Sequence, residues 1–204
     1  MADTAMPPVA FTKGPSEGTL PGSAANIAAM SAPSPQAMRF ATAAFATGIV
    51  LIAAEVDGVP VGMLANSFTS VSLDPPLVSV NIARTSGTWP LLRRAGRWGI
   101  SILGAQQGSD FRRLSRKAAE RFQGVDWFAS GDGGVLLAGA SATFTVGMEA
   151  EVDAGDHVVV ILRVLGLHRT PDRTSLVFYD SQPHRLVAAG EGRPDTGFTS
   201  RGLS

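Results

Sequence analysis

Short apolar segments separated by turn residues make up most of the chain between about residues 36 and 186. Such runs, bounded by Gly, Pro, Asn and Asp, are typical of β-strands. Asp57-Gly58 separates two of them and predicts a tight hairpin. The strands are predicted at residues 49–56, 59–64, 77–82, 98–103, 141–152, 158–164 and 176–179. The pattern predicts a mostly β protein built from antiparallel strands that close into a barrel.

Three segments carry a helical rather than an alternating pattern, and they predict a few peripheral helices. In residues 36–45, Met38 or Ala37 falls on one helical face together with Ala41, Ala44 and Phe45. Residues 88–96 predict a helix with Ser86 or Thr88 as its N-cap and Gly96 as its stop. Residues 109–117 predict a third helix, with Phe111 and Leu114 directed inward. Residues 124–134 are rich in glycine and predict a loop.

Composition excludes several classes of function. The 204 residues carry 17 basic and 17 acidic side chains, so no overall charge favours nucleic acid or an acidic membrane. The chain has no cysteine, which excludes disulfides, thiolate metal sites and a cysteine nucleophile. Its three histidines, His157, His168 and His184, lack the close spacing of metal ligands, so no metal site is predicted. No apolar run reaches the ~18–20 residues of a membrane helix, and we expect a cytoplasmic protein.

The termini differ in composition from the middle of the chain. Residues 1–35 are rich in Ala, Pro, Ser, Gly and Thr, which predicts a flexible N-terminal arm. Residues 189–204 predict a flexible C-terminal tail. The folded domain is therefore predicted at residues 36–188.

The segment from Gly62 to Asn81 contains the most informative chemistry. Short hydroxyl and amide side chains alternate there with apolar ones, and Pro75-Pro76 follows. Such side chains can hydrogen-bond a ligand while backbone N–H groups approach it closely. Two interpretations remain open from the residues alone: a polar loop between two strands of any β protein, or a cradle for a flat, partly apolar ligand that carries a phosphate.

The same segment closely resembles the flavin-contacting segment of the flavin reductase-like family, the FMN-binding split barrels. Members of that family carry a Gly-Met-Thr-Ala-Asn-Ser-Phe-type string, then Ser-Val-Ser and a Pro-Pro pair. This chain differs at Leu64, where a Thr or Ser is common, so one possible hydroxyl contact is lost. The resemblance implies that the flavin is contacted by Ala65, Asn66, Ser67, Phe68, Ser70, Val71 and Ser72.

Three further segments extend the resemblance over about residues 38–186. Gly155-Asp156-His157 matches a family string whose histidine reaches the nicotinamide dinucleotide. Residues 117–122 match a Lys-x-x-x-Arg-Phe pattern, in which Lys117 approaches the flavin phosphate and Phe122 lies close to the flavin and nicotinamide rings. Ser86 and Thr88 are placed near the ribityl-phosphate. For Phe122 core packing, and for His157 a simple turn into a strand, stand beside these roles.

The resemblance implies a split β-barrel of Greek-key topology, normally a homodimer with flavin at the subunit interface. It implies an NAD(P)H:flavin oxidoreductase that uses FMN or FAD, with NADH or NADPH as hydride donor. Reduced flavin would pass to a separate monooxygenase. Gly-x-Gly-x-x-Gly and Gly-x-Ser-x-Gly are both absent, which disfavours a doubly wound dinucleotide domain and a hydrolase. The alternatives are a flavin- or haem-binding carrier or sensor without turnover, and a pyridoxamine-phosphate-oxidase-like enzyme.

Overall fold

The computed structural model describes residues 33–186. The chain divides between Arg39 and Phe40 into two units, and helix α1, Pro35–Ala43, spans that division. Most of the predicted arm and all of the predicted tail lie outside the described residues. The domain boundaries at 35 and 188 therefore stay predictions, although α1 already begins at Pro35 rather than at residue 36.

Twelve strands and two more helices follow α1 in the described residues. The helices are α2, Trp89–Leu92, and α3, Gly108–Leu114, and a 3₁₀ turn covers Ala118–Glu120. The strands are β1 Thr47–Gly48, β2 Val50–Val56, β3 Val59–Ala65, β4 Thr69–Leu73, β5 Pro76–Ala83, β6 Arg97–Ile102, β7 Trp127–Ala129, β8 Val135–Leu137, β9 Ala142–Ala154, β10 His157–Arg169, β11 Leu176–Tyr179 and β12 Gln182–Arg185. The prediction of a mostly β protein is confirmed.

Antiparallel pairing joins seven strands in the order β3-β2-β6-β9-β10-β5-β4. Strands β1, β11 and β12 form a second sheet, and β7 pairs with β8. Asp57 and Gly58 join β2 to β3 with φ of 53° and 78°, as a hairpin turn of this type requires. Strand β5 pairs with β4 on one side and with β10 on the other. Strand β5 therefore lies between β4, which belongs to the Gly62–Asn81 segment, and β10, which begins at His157.

The core has two parts, one on each side of the large sheet. One contains alternate residues of β2, β5, β6 and β10 and the rings of Trp89 and Trp98, whose centroids lie 5.6 Å apart. Val61 and Met63 of β3 pack into the same cluster as the residues of β5. The large sheet therefore curls around this core. The second cluster packs β2 against α3, β8 and β11.

Several local predictions need correction. Helix α2 has one turn instead of the predicted 88–96, because Arg94 and Ala95 donate to carbonyls three residues back and the helix tightens and stops. Helix α3 ends at Leu114, and Lys117 lies outside it in an extended conformation. Helix α1 ends at Ala43, so Phe45 is not part of it.

The predicted loop at residues 124–134 contains strand β7, because its glycines serve close packing as well as turns. A Cβ at Gly134 would lie 2.7 Å from the backbone nitrogen of Gly99. The β7–β8 pair can therefore lie directly against β6.

Candidate functional site

The loop after β3 is fixed to β5 by the hydroxyl of Ser67. Its Oγ accepts a hydrogen bond from the N–H of Asn81 at 2.9 Å and donates to the Asn81 carbonyl at 3.2 Å. The Ser67 hydroxyl is thus committed to the fold, so a ligand at this loop would meet the backbone of residues 65–68 and the exposed side chain of Asn66. Ser67 therefore anchors the loop after β3 to strand β5.

Among the other predicted flavin contacts of this segment, one ring is part of the core and two side chains are exposed. The ring of Phe68 packs inside the barrel, 5.6 Å from the ring of Phe144, so its side chain belongs to the core. Ser70 and Val71 are exposed on β4, and a register shift between Ser70 and Ser72 makes a bulge at Val71. A bulge turns neighbouring side chains in new directions, which leaves this part of β4 open to a ligand.

The turn that precedes His157 is tied to the end of β5. Gly155 has φ of 62°, and Asp156 Oδ1 lies 2.7 Å from Nδ1 of His157. Arg84 donates its backbone N–H to the Asp156 carbonyl and its Nε–H to the Gly155 carbonyl, both at 3.0 Å. Its guanidinium also pairs with Asp153. The turn is therefore fixed, while the imidazole stays partly exposed.

Strand β5 brings the two strings to one region of the sheet. Ser67 is bonded to Asn81, and Ala83, two residues further along β5, is opposite His157 on β10. Two residues of a strand span ~7 Å. The structure therefore places the Ser67 loop and His157 on opposite flanks of the same strand end. Asn66 also lines a separate cavity of about 170 Å³ with Leu64 and residues of α3 and β11.

The segment after β5 adds two hydroxyl groups. Ser86 Oγ accepts the N–H of Trp89 at 3.2 Å and lies 3.8 Å from the sulfur of Met63. Thr88 is 8% exposed and is the N-cap of α2, although its side chain makes no capping bond. Because α2 has only one turn, its dipole is weak. The predicted phosphate site therefore depends on side chains rather than on a helix N-terminus.

Arg121 is the residue that the sequence reasoning missed as a site residue. Its Nη1 donates to the carbonyl of Gly62 at 2.7 Å and to Thr88 Oγ1 at 3.1 Å, and its Nε donates to the carbonyl of Arg116 at 3.0 Å. Burial lowers the pKa of the Arg121 guanidinium from its ordinary value. Among residues 33–186, no carboxylate lies within ion-pair distance of it. A partly buried cation without a counter-charge is suited to an anion.

Phe122 and Thr88 line the same cavity, which has a volume of about 560 Å³ and which we call the aromatic cavity. The Phe122 ring lies over Gly62, where a Cβ would approach its Cζ to 2.9 Å. It also meets Trp127 edge to face at 6.3 Å. The remaining walls are Val59, Pro60, Val61, Leu91, Ala118, Ala119 and Gln123. Lys117 is exposed just before the 3₁₀ turn that supplies two of these residues.

Within residues 33–186, no group of three or more His, Asp or Glu side chains is placed to hold a metal ion. In the same range, no helix combines the length and apolar character that crossing a bilayer requires.

Comparison with known proteins decides the family. The family model described as "Flavin reductase like domain" matches residues 42–186. The chain belongs to this family. The predicted family and split-barrel fold are thereby confirmed. A probable flavin reductase of Rhizobium meliloti (strain 1021) is 41% identical over 131 residues, which are 64% of this chain but only 42% of that relative. The chain thus spans less than half of that relative's length.

Two further family members cover more of their own length. The reductase subunit HsaB of a flavin-dependent monooxygenase from Rhodococcus jostii (strain RHA1) is 34% identical over 72% of this chain and 76% of its own length. The solved structure of the NADH:FAD oxidoreductase SgcE6 from Streptomyces globisporus C-1027 is 28% identical, with a TM-score of 0.72 over 78% of this chain and 97% of that one. Both are similar to this flavin reductase-like chain along nearly all of its described part.

Proposed function

We propose that this flavin reductase-like protein is an NAD(P)H:flavin oxidoreductase. The observation that carries the proposal is that Ser67 and His157 flank one end of β5, with the uncompensated guanidinium of Arg121 beside Thr88. A cofactor-dependent hydride transfer needs binding and orientation rather than a protein acid or base. A fixed backbone, hydroxyl groups and a partly buried cation provide this binding and orientation.

The residues present fit a flavin. The phosphate end is matched by Arg121, which lacks an acidic partner in the described chain, together with the hydroxyls of Thr88 and Ser86. The ring end is matched by the ordered loop after β3 and the open bulge of β4. A flavin bound there would supply the acceptor for the hydride of NADH or NADPH.

Each group of side chains has its own task in this proposal. The backbone of residues 65–68, the exposed residues Ser70 and Val71, and the half-buried Ser72 contact the flavin ring. Ser86, Thr88, Lys117 and Arg121 bind its phosphate arm. His157, held by Asp156, hydrogen-bonds the nicotinamide half of NAD(P)H. Phe122 closes the site on the side of Gly62. The protein accelerates the transfer by holding two rings in contact, which removes the cost of bringing them together.

The assembly and partner belong to the same proposal. We propose a homodimer, because four large apolar side chains are 69–89% exposed in the unit that begins at Phe40. They are Phe40, Phe45, Leu73 and Leu167. An interface between two copies of the chain would remove these four side chains from water. We further propose that the reduced flavin leaves for a separate monooxygenase in the cytoplasm, as the name of the HsaB relative suggests for that protein.

The test mixes purified protein with FMN or FAD and either nicotinamide nucleotide, and it follows the near-ultraviolet absorbance of NADH or NADPH. Loss of absorbance that depends on both flavin and protein supports the reductase. Tight flavin binding without any oxidation of NADH or NADPH would instead indicate a carrier and would refute the proposed reaction. Comparing the four combinations also identifies the preferred pair of substrates.

A further inference from the structure

The aromatic cavity is large enough for a ligand of its own. Its 560 Å³ falls within the range of small-molecule sites. Two aromatic rings, those of Phe122 and Trp127, line it together with the exposed residues Ala118 and Ala119. Walls of this kind suit a flat heteroaromatic ring, because nucleic-acid bases stack on aromatic side chains.

The cavity lies away from the loop proposed to contact the flavin ring. It is lined by Val59, Pro60, Val61 and Gly62 from the beginning of β3, whereas Asn66 follows the end of that strand. At ~3.3 Å per residue, Pro60 and Asn66 are ~20 Å apart along the chain. A ligand that occupies both places has to be elongated, as a dinucleotide is.

Arg121 lies beside the aromatic cavity. It is bonded to Gly62 and to Thr88, and both of these residues line the cavity. Its positive charge has no acidic partner in residues 33–186. A pyrophosphate beside Arg121 would supply the missing negative charge and leave an adenosine at the cavity.

We propose that the aromatic cavity binds the adenosine half of FAD, so that this protein prefers FAD to FMN. The inference rests on the proposed flavin reductase function and adds a second half-site to it. NADH carries the same adenosine phosphate group, so the chemistry alone admits two sources. We assign the adenosine to FAD because Thr88, which lines the cavity, also belongs to the proposed flavin phosphate site.

The first experiment measures dissociation constants of the full chain by calorimetry, without nicotinamide nucleotide. We expect the dissociation constant of FAD to be about tenfold lower than that of FMN, since stacking of one base is worth about this factor. AMP should compete with FAD but not with FMN. Equal affinity for the two flavins, or no competition by AMP, would overturn the proposal without any variant.

The second experiment fills the cavity. Ala119→Trp places a large side chain at the exposed rim, and Ala129→Trp, on β7 and outside the cavity, is the matched control. We expect Ala119→Trp to raise the dissociation constant of FAD about tenfold and to change that of FMN by less than about twofold. Ala129→Trp should change neither the dissociation constant of FAD nor that of FMN. Weakening of both flavins by the same factor would refute an adenosine site.

A third measurement separates the two sources of adenosine. If Ala119→Trp weakens NADH binding and leaves FAD binding unchanged, the assignment to FAD is wrong. Because these are binding measurements, their outcome is independent of turnover. A protein that prefers FAD but oxidises no NADH or NADPH would contradict the proposed function alone, whereas an active reductase with equal affinity for FAD and FMN would contradict this inference alone.

Discussion

Arg121→Gln removes the only charge that the structure holds between Gly62 and Thr88. A hydrogen bond to a charged group contributes ~1.5–3 kcal/mol. Loss of one such bond to a phosphate, taken as about 2 kcal/mol, raises the dissociation constant of FMN about 30-fold. The FMN constant is the better measure, because FMN lacks the adenosine that we propose for the aromatic cavity.

The stability of the variant should change much less than its affinity. Arg121→Gln loses bonds to three groups, the carbonyls of Gly62 and Arg116 and the hydroxyl of Thr88, but it also removes a partly buried charge that has no acidic partner in residues 33–186. These effects oppose each other, so the free energy of unfolding should change by no more than about 1 kcal/mol. Arg121→Lys keeps the charge without the planar fork and should lose about fivefold in affinity.

The assay is quenching of flavin fluorescence together with urea unfolding of the same samples. Arg112→Gln is the matched control, because Arg112 is an exposed arginine of α3. Raising the salt concentration should weaken FMN binding by the wild-type protein more than by Arg121→Gln. A change in the FMN constant of less than about twofold, with clear destabilisation, would show that Arg121 serves the fold only.

Three other substitutions test separate parts of the site. His157→Ala should raise the KM for NADH about tenfold at unchanged flavin affinity, with His168→Ala as control, and an unaltered KM would remove His157 from the nicotinamide site. Gly62→Ala should lower the free energy of unfolding by about 2 kcal/mol, because its Cβ would lie 2.9 Å from Cζ of Phe122. The control Gly87→Ala should leave the free energy of unfolding unchanged, because a Cβ there has open space. Leu167→Glu should convert the proposed homodimer into monomers in light scattering, and an unchanged mass would place the interface elsewhere.

Local signals in the sequence were enough for the parts of the fold that depend on neighbours in the chain. Asp57-Gly58 gave the hairpin, since both residues adopt the positive φ that the pair favours. The polar string from Asn66 and the turn before His157 were recognised from their resemblance to strings of the family. Their common attachment to β5 could not be derived, because it depends on strand order.

The missing parts of the site depend on contacts between distant residues. Arg121 meets Gly62 across 59 positions, and nothing in either local sequence indicates that meeting. Phe68 shares the flavin-type string, yet its ring faces Phe144 in the core. The family pattern drew attention to Lys117 and Phe122, although the arginine between them is the group that burial perturbs.

Strand β4 lies at one edge of the seven-stranded sheet and pairs only with β5, whereas β10 has partners on both sides. Edge strands open more readily than interior ones, so amide hydrogens of β4 should exchange with solvent sooner than those around His157. A ligand seated against residues 65–72 would hold that edge in place. The two flanks of the site therefore differ in rigidity, and the flank proposed to contact the flavin ring is the one that would gain order when it is filled.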